Sequence, residues 1–587
     1  MVNNFYDLAN DKQLIVTLLD QMIEWTKQHR STQLLVLVLA GYFLFGIHYT
    51  HPNAGGHGLY LPFNIVGWIF ISMIIGLGSW RIYRTGKIQL TRFSIYALLA
   101  SILLFLPLLY PNNDLSSWSH HRLLGLLGGL LFYLSLLQFK ISTLERSYFL
   151  YLILTGILIE SILGISQYYF FRPGNFMGYD VTANFPYGIF QQKNVMGIFM
   201  VTGCAISLFL IKNEKEHHYS KIKLFLLISV PFFASIILVA IKSRAAFLAY
   251  FLSIATALFS SNLKQKWVQR WMIISALGFT FGMLSPKFFN KKFSERTLEV
   301  LIDSNSARII FYKNSFNLFL DNPLLGNGYG SFRRKYREID ALRLSNDPDS
   351  NVKDFSEILD HPHNEILLWA AEGGVLPVIG LLIIAGSYMI MIFRIKLKRS
   401  LSYLSLALPI LLSTQVSLPF SQSLTHWITF LSIIYLTDIE MGKSFNYNLI
   451  FHRLAIIPGI IIPLIVTIYM MQTLQTAKIF HQYETTGLRD HNLLFKAKRP
   501  EAWKMKYENY KLKALFDHGM RTSDKATLQL FLDESEQFLQ FAPFIHLYKS
   551  METALLAIGD IDKANAIRKR AEYMYPTQYV LIYGDGQ

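Results

Sequence analysis

Where a long polar segment gives way to an apolar one, the chain places His361-Pro362-His363-Asn364-Glu365, then Trp369 and Glu372-Gly373-Gly374. Ionisable side chains at a membrane surface are costly unless they serve a purpose. A neutral imidazole at a polar entrance can accept a proton from a hydroxyl, which is what attack by an alcohol at neutral pH requires. His363 and His361 are thus candidate general bases. Asn364 and Glu372, the latter about two and a half helical turns beyond His363, are candidates for a substrate path. The bland reading of the same stretch is a polar helix start, with Asn364 or Asp360 as the cap and the histidines at an interface. A zinc site on His361 and His363 lacks third and fourth ligands at suitable spacing, so no metal is expected.

Arg244 stands with Lys242 in a very short connection between two apolar runs. A guanidinium holds phosphate oxygens in a planar fork, so an arginine fixed at a helix terminus can grip a diphosphate; snorkelling toward lipid headgroups is the alternative. Arg308 follows Asp303-Ser304-Asn305-Ser306-Ala307 in an expected helix, where alone it reads as an ordinary surface residue. Gln191, Gln192 and Asn194 follow the aromatic, turn-rich stretch from Phe176 to Phe190, where they line a glycan path or cap an interface. Gly326-Asn327-Gly328-Tyr329-Gly330 matches a phosphate-binding loop only weakly: no buried strand precedes it, and Asp321-Asn322-Pro323 signals a helix stop and tight turn. Basic residues from Arg333 to Arg343 are interleaved with acids, which predicts a solvated amphipathic face.

Membrane spans must position these groups. Of 587 residues, 52% are hydrophobic and 16% charged, and the mean hydropathy is +0.31. Apolar runs recur near residues 34–48, 62–79, 93–109, 123–138, 148–168, 195–211, 224–241, 245–260, 271–284, 375–393, 401–418, 427–436 and 454–471, about 13 spans in all. Lys and Arg collect in alternate loops: Arg81 to Arg92, Lys140 and Arg146, Lys212 to Lys223, Lys264 to Arg270, and Arg394 to Arg399. Those loops are expected in the cytoplasm, which carries Arg244, the 286–360 loop and the tail to the outer face. The formal charge of +16 is explained by these loops, so nucleic acid is not an expected partner. A single cysteine, Cys204, lies in an apolar run and excludes intramolecular disulfides.

The expected fold is an all-α polytopic membrane protein. Its parts are a cytoplasmic amphipathic segment (1–30), a first transmembrane region (31–285), a large periplasmic loop carrying the histidines (286–372), a last transmembrane region (373–471) and a periplasmic helical domain (472–587). In that domain Ala554 to Asp560, followed by Ala564, Ile567, Ala571 and Pro576, has the small-residue and terminal-proline pattern of a tetratricopeptide-like helix pair.

Ser243-Arg244-Ala245-Ala246, then Arg308 with Asp321-Asn322-Pro323-Leu324-Leu325-Gly326-Asn327-Gly328, then His361-Pro362-His363-Asn364 with Glu372-Gly373, resemble the O-antigen ligase and polymerase superfamily in order and spacing. The likeness runs from roughly Asn194 to Leu436. Phe190-Gln191-Gln192-Lys193-Asn194 and the helical tail are similar to the PglL-type bacterial protein O-oligosaccharyltransferases, the pilin glycosylation ligases. That resemblance implies a multi-pass inner-membrane enzyme with its active site facing the periplasm. It implies transfer of a glycan en bloc from undecaprenyl diphosphate to a Ser or Thr hydroxyl of a periplasmic protein such as pilin, without cofactor or metal. On it, His363 activates the acceptor hydroxyl with help from His361, Arg244 and Arg308 grip the donor diphosphate, and Gln192 and Asn194 stand on the substrate path. Alternatives within the superfamily are ligation to lipid A-core and glycan polymerisation. A lipid-linked glycan transporter or flippase is a different class, expected to show midplane polar groups on broken helices and internal repeats.

Overall fold

The computed structural model describes residues 30–53, 55–213, 220–289, 298–346 and 359–576, with side chains from Arg308 onward in the fourth stretch. The expected amphipathic segment before Arg30, Lys215, and the side chains of Asp303 to Ala307 lie outside the described residues.

The protein is an all-α polytopic membrane protein. Every apolar run read from the sequence lies on a helix: α1 (Arg30–His48), α2 (Pro62–Thr85), α3 (Arg92–Phe105), α4 (His120–Leu136), α5 (Thr143–Tyr169), α6 (Lys193–Asn213), α7 (Lys221–Ile241), α8 (Arg244–Phe259) and α9 (Lys266–Phe288). After α10 (Leu298–Asp321), α11 (Phe332–Asn346) and α12 (Glu365–Gly373) come α13 (Val375–Ile392), α14 (Leu397–Ser413), the short α15 (Pro419–Gln422), α16 (Leu424–Met441) and α17 (Ile456–Thr485). Among the described residues eight helices, namely α1, α2, α3, α5, α6, α7, α13 and α17, are long and apolar enough to cross a bilayer. The other five runs form helices that are shorter or less apolar.

Starts are set by local chemistry. Thr91 and Ser94 close a capping box on α3, Ser142 and Glu145 one on α5, and Ser243 caps α8 by accepting from the Ala246 N–H. Lipid supplies no hydrophobic drive between helices, so close packing must. Gly278 and Gly282 of α9 meet that need against α7: a Cβ at Gly282 would stand 3.0 Å from that of Val239, and one at Gly278 would overlap the Phe232 carbonyl. Helix α6 is the centre of the bundle, with 94% of its apolar window buried, whereas α17 buries only 6% and lies at the periphery.

Contacts sort the connections to two ends of the bundle. At one end Arg81 donates to Gln138 O (3.1 Å) and Ser31 Oγ (2.7 Å), and both Arg146 and Arg399 pair with Glu440. The basic loops therefore share an end, as their alternation predicted. The sequence reading held no strands, yet Lys87–Thr91 (β1) pairs antiparallel with Ser444–Asn448 (β2), Leu90 opposite Phe445. Five residues on each side are too few to show against thirteen apolar runs. This ribbon closes the basic end.

At the other end gather the 49–61 loop, residues 106–119, the 185–194 segment, α10 to α12, residues 414–423 and the tail. Helix α17 carries the chain unbroken past residue 472 into that tail, where α18 (Lys504–Thr522) with α19 (Lys525–Leu539) and α20 (Ile545–Ile558) with α21 (Ile561–Met574) form two helical hairpins. Buried Ala554, Ala564 and Ala571 let the second pair pack closely, and Gly559, with φ of +90°, ends α20 in the left-handed conformation. Trp118 docks the tail: its ring stacks on Phe541 at 3.7 Å and Lys504 lies 4.1 Å above it. Trp118→Ala should weaken that docking by about 2–3 kcal/mol. Proteolysis within α18–α21 should then accelerate severalfold while the thermal transition of the bundle stays put; an unchanged cleavage rate would contradict this anchoring.

Candidate active site

The histidine pair precedes α12, and the helix start fixes its geometry. Asn364 caps α12, its Oδ1 accepting the Leu367 N–H at 3.0 Å, while its Nδ2 donates to Gln415 O at 3.3 Å. Just before the cap, His363 adopts φ of +55°, a left-handed conformation that costs a non-glycine residue about 1–2 kcal/mol. The turn sets its ring edge-on to that of His361, with centroids 4.4 Å apart, and over Phe311 of α10 at 6.2 Å.

Hydrogen bonding then distinguishes the two rings. His361 Nδ1 accepts the backbone N–H of His363 at 3.1 Å, so its proton belongs on Nε2, which lies 3.5 Å from Asp360 Oδ1. Both nitrogens of His361 are thereby committed. Among the described residues no group hydrogen-bonds to the ring nitrogens of His363. The sequence left open which imidazole is the available base, and this geometry favours His363.

Asp360 is the hub. Its Oδ2 lies 3.5 Å from Arg333 Nη2 and 3.8 Å from His57 Nδ1. Burial pushes its pKa up, but the charges of His361, His57 and Arg333 together outweigh burial and hold the carboxyl below its usual range. Burial lowers His361, with Asp360 opposing. Burial, then the neighbouring His361 and Arg308, push His363 down to about 4. At neutral pH the aspartate is therefore ionised and both imidazoles of the pair are neutral, which leaves Arg333 as the fixed cation facing Asp360.

Arg308 is drawn into the same cluster. It stands one helical turn before Tyr312, whose hydroxyl donates to the Gln415 carbonyl (2.8 Å) that Asn364 also uses, and its charge acts on both Tyr312 and His363. A second cluster forms around Arg244 in the first turn of α8, where Ser243 Oγ donates to Asn194 Oδ1 at 2.9 Å. Nearby, Gln192 buries an Oε1 that finds no hydrogen-bond partner among the described residues. The 49–61 loop joins the clusters: Gln191 Nε2 donates to Asn53 Oδ1 (3.1 Å), Gln422 Nε2 to Gly56 O (3.1 Å), and His57 faces Asp360.

Two candidates for the substrate path have other occupations. Asn364 spends its side chain on the cap and Gln415. Glu372 is 3% exposed; its Oε1 accepts the N–H groups of Gly330 (3.1 Å) and Phe332 (3.2 Å), and its Oε2 pairs with Arg122. The carboxylate thus anchors the glycine-rich loop and the start of α11. That loop has no amides to offer a phosphate, since Asn327 and Gly328 donate to the Ala371 and Glu372 carbonyls. Gly328, at φ of +89°, lies so close to the Asn112 carbonyl that a Cβ would overlap it.

Residues 229–385 match the family model described as "O-Antigen ligase", and residues 401–582 that described as "Virulence factor membrane-bound polymerase, C-terminal". The chain is similar to the O-antigen ligase and polymerase superfamily in both stretches. These matches support a membrane protein with a glycosyl-transfer function. No curated protein matches the chain. The first match contains Arg244, Arg308, His361, His363 and Glu372; Gln192 and Asn194 precede it. The second contains most of the tail.

Nothing in the type or spacing of His57, Phe311, Arg333 and Asp360 marks them for this cluster. His57 sits in a loop with little charge to mark it. Arg333 and Arg337 belong to the interleaved run expected to be solvated, but they are 8% and 1% exposed because the tail covers them, with Phe544 over Arg333 and Arg337 over Tyr575. Glu372→Ala would leave the partly buried Arg122 without its counter-charge, costing on the order of 3 kcal/mol. Thermal unfolding of the purified protein should show a marked drop in Tm without substrate; an unchanged Tm with weakened donor binding would instead put Glu372 on the substrate path.

Proposed function

We propose that this protein transfers a glycan en bloc from undecaprenyl diphosphate to a Ser or Thr hydroxyl of a periplasmic protein, pilin being one such acceptor. The feature that carries the reading is the His363 imidazole, whose ring has no hydrogen bond among the described residues and which burial, His361 and the charge of Arg308 favour in its neutral form. In the proposed step the acceptor oxygen attacks the anomeric carbon as His363 removes its proton, and the bond from that carbon to the diphosphate oxygen breaks. The leaving diphosphate gains negative charge. Arg308, with Arg244 across the 49–61 loop, is suited to stabilise it. His361, committed to Asp360 and to the His363 backbone, orients rather than reacts. No metal is required for this chemistry.

The basic end of the bundle belongs in the cytoplasm by the positive-inside rule, which would turn the histidines and the tail toward the periplasm of a bacterial inner membrane. There the lipid-linked glycan and an exported acceptor meet. The helical hairpins resemble tetratricopeptide-like units, surfaces suited to docking polypeptide. The match of the tail to a polymerase C-terminal family favours a second reading, in which the accepting hydroxyl belongs to another glycan.

Purified full-length protein should transfer glycan from the undecaprenyl diphosphate donor to a pilin acceptor. His363→Ala should lower kcat by about 100-fold or more, and His361→Ala by less. Transfer to glycan or lipid A-core alone would select the alternatives, and donor binding without product would select a transporter. The pH dependence has a definite sign. In the free enzyme His363 loses its basic form only as pH falls through about 4, so kcat/KM should hold well below the ordinary histidine range. A bound diphosphate stabilises the imidazolium, so the acid limb of kcat should lie at higher pH than that of kcat/KM. Coincident limbs near the ordinary histidine value would contradict the assignment.

A further inference from the structure

We infer that the C-terminal helical domain is a working part of the active site, in which Phe544 and Trp503 act as positioning residues that hold Arg333 and His57 against Asp360. The inference rests on the glycan-transfer reading. Two separate arms reach from the tail to one carboxylate. In the first, the Phe544 ring lies 5.4 Å from the guanidinium of Arg333, which stands 3.5 Å from Asp360 Oδ2. Arg333 is 8% exposed and its Nε has no hydrogen-bond partner among the described residues, so the aromatic face is a principal constraint on where its charge sits. In the second, buried Trp503 lies 4.7 Å from Tyr60, and Lys506 reaches the Gly55 carbonyl at 3.4 Å. Tyr60 in turn lies 5.7 Å from His57, the other partner of Asp360 Oδ2.

Docking alone does not need these contacts. Trp118 on Phe541, Arg334 on Gln540 and Arg337 over Tyr575 already fasten the domain. What Phe544 and Trp503 add is control of the residues facing Asp360. Through Asp360 and His361 that control reaches the backbone N–H of His363, and with it the strained turn that aims the free imidazole. A misplacement of about 1 Å at such a group costs on the order of 100-fold in rate.

The test compares wild type, Phe544→Ala, Phe544→Tyr, Arg333→Gln and the Phe544→Ala/Arg333→Gln double variant as full-length protein. Steady-state transfer from the undecaprenyl diphosphate donor is measured alongside amide hydrogen exchange over residues 359–364. Phe544→Ala should lower kcat about tenfold or more, leave donor KM within about twofold, and hasten exchange at 359–364, with the exchange change in the tail confined to the start of α20, where Phe544 also packs on Phe538 and His546. Phe544→Tyr should restore kcat to within about threefold, and the double variant should be no slower than Arg333→Gln alone. For the second arm, Trp503→Leu should hasten exchange at residues 55–60; if it does not fold, Lys506→Met should do the same. Unchanged kcat and exchange in Phe544→Ala, or additive losses in the double variant, would overturn the inference. Wild type that makes no product would instead overturn the transfer reading, and exchange at 359–364 would still decide this one.

Discussion

One carboxylate gathers the candidate site. Asp360 faces His57 from the 49–61 loop, Arg333 from α11 and His361 from its own segment, and the last of these sets the backbone of His363. A partly buried aspartate without such partners would have a raised pKa, and its hold on three stretches of chain would weaken. Because both imidazoles of the pair are neutral at pH 7, the arginine contributes the lasting counter-charge. The arrangement commits His361 fully and leaves His363 with a ring free to exchange a proton.

The rest of the molecule can be understood as what keeps that carboxylate and the two arginine clusters at one end of a membrane bundle. Helix α6 forms the packed centre, and its start carries Asn194, which meets Ser243 at the start of α8 and so orients the first turn bearing Arg244. Glu372 and Arg122 fix the glycine-rich loop from which α11 begins, and α11 delivers Arg333. The tail closes over α11. Holding donor and acceptor at such a site would recover much of the entropic cost of bringing them together, which is the main service a rigid membrane scaffold offers a transfer reaction.

Much of this frame was legible in the sequence, and the limits have physical causes. Hydropathy exposed the eight helices among the described residues that are long and apolar enough to cross a bilayer, because bilayer length demands long apolar runs, and the alternation of Lys and Arg showed which loops share an end. The His361 and His363 pair stood out by type and place, Arg308 entered only through the family resemblance, and the structure brings the charge of Arg308 beside His363. Arg333 and His57 did not: the tail buries Arg333, and His57, itself exposed, meets Asp360 only across a large separation along the chain. Glu372 and Asn364 read as candidates for a substrate path by residue type, yet backbone amides and Arg122 take their oxygens, and the demand of a loop for hydrogen bonds leaves no trace in side-chain spacing. The ribbon of Lys87–Thr91 with Ser444–Asn448 joins segments hundreds of residues apart and was invisible for the same reason.

The central claim is that His363 is neutral and open on its ring while His361 is closed by Asp360 and the main chain. Carbethoxylation of the purified protein by diethyl pyrocarbonate, quantified by peptide mass spectrometry from about pH 5 to about pH 7.5 across the ordinary histidine range, tests it most directly. The account predicts rapid modification of His363 with little pH dependence over that range, and protection of His361. Equal reaction at His361, or a His363 rate that climbs through the ordinary histidine pKa, would contradict it.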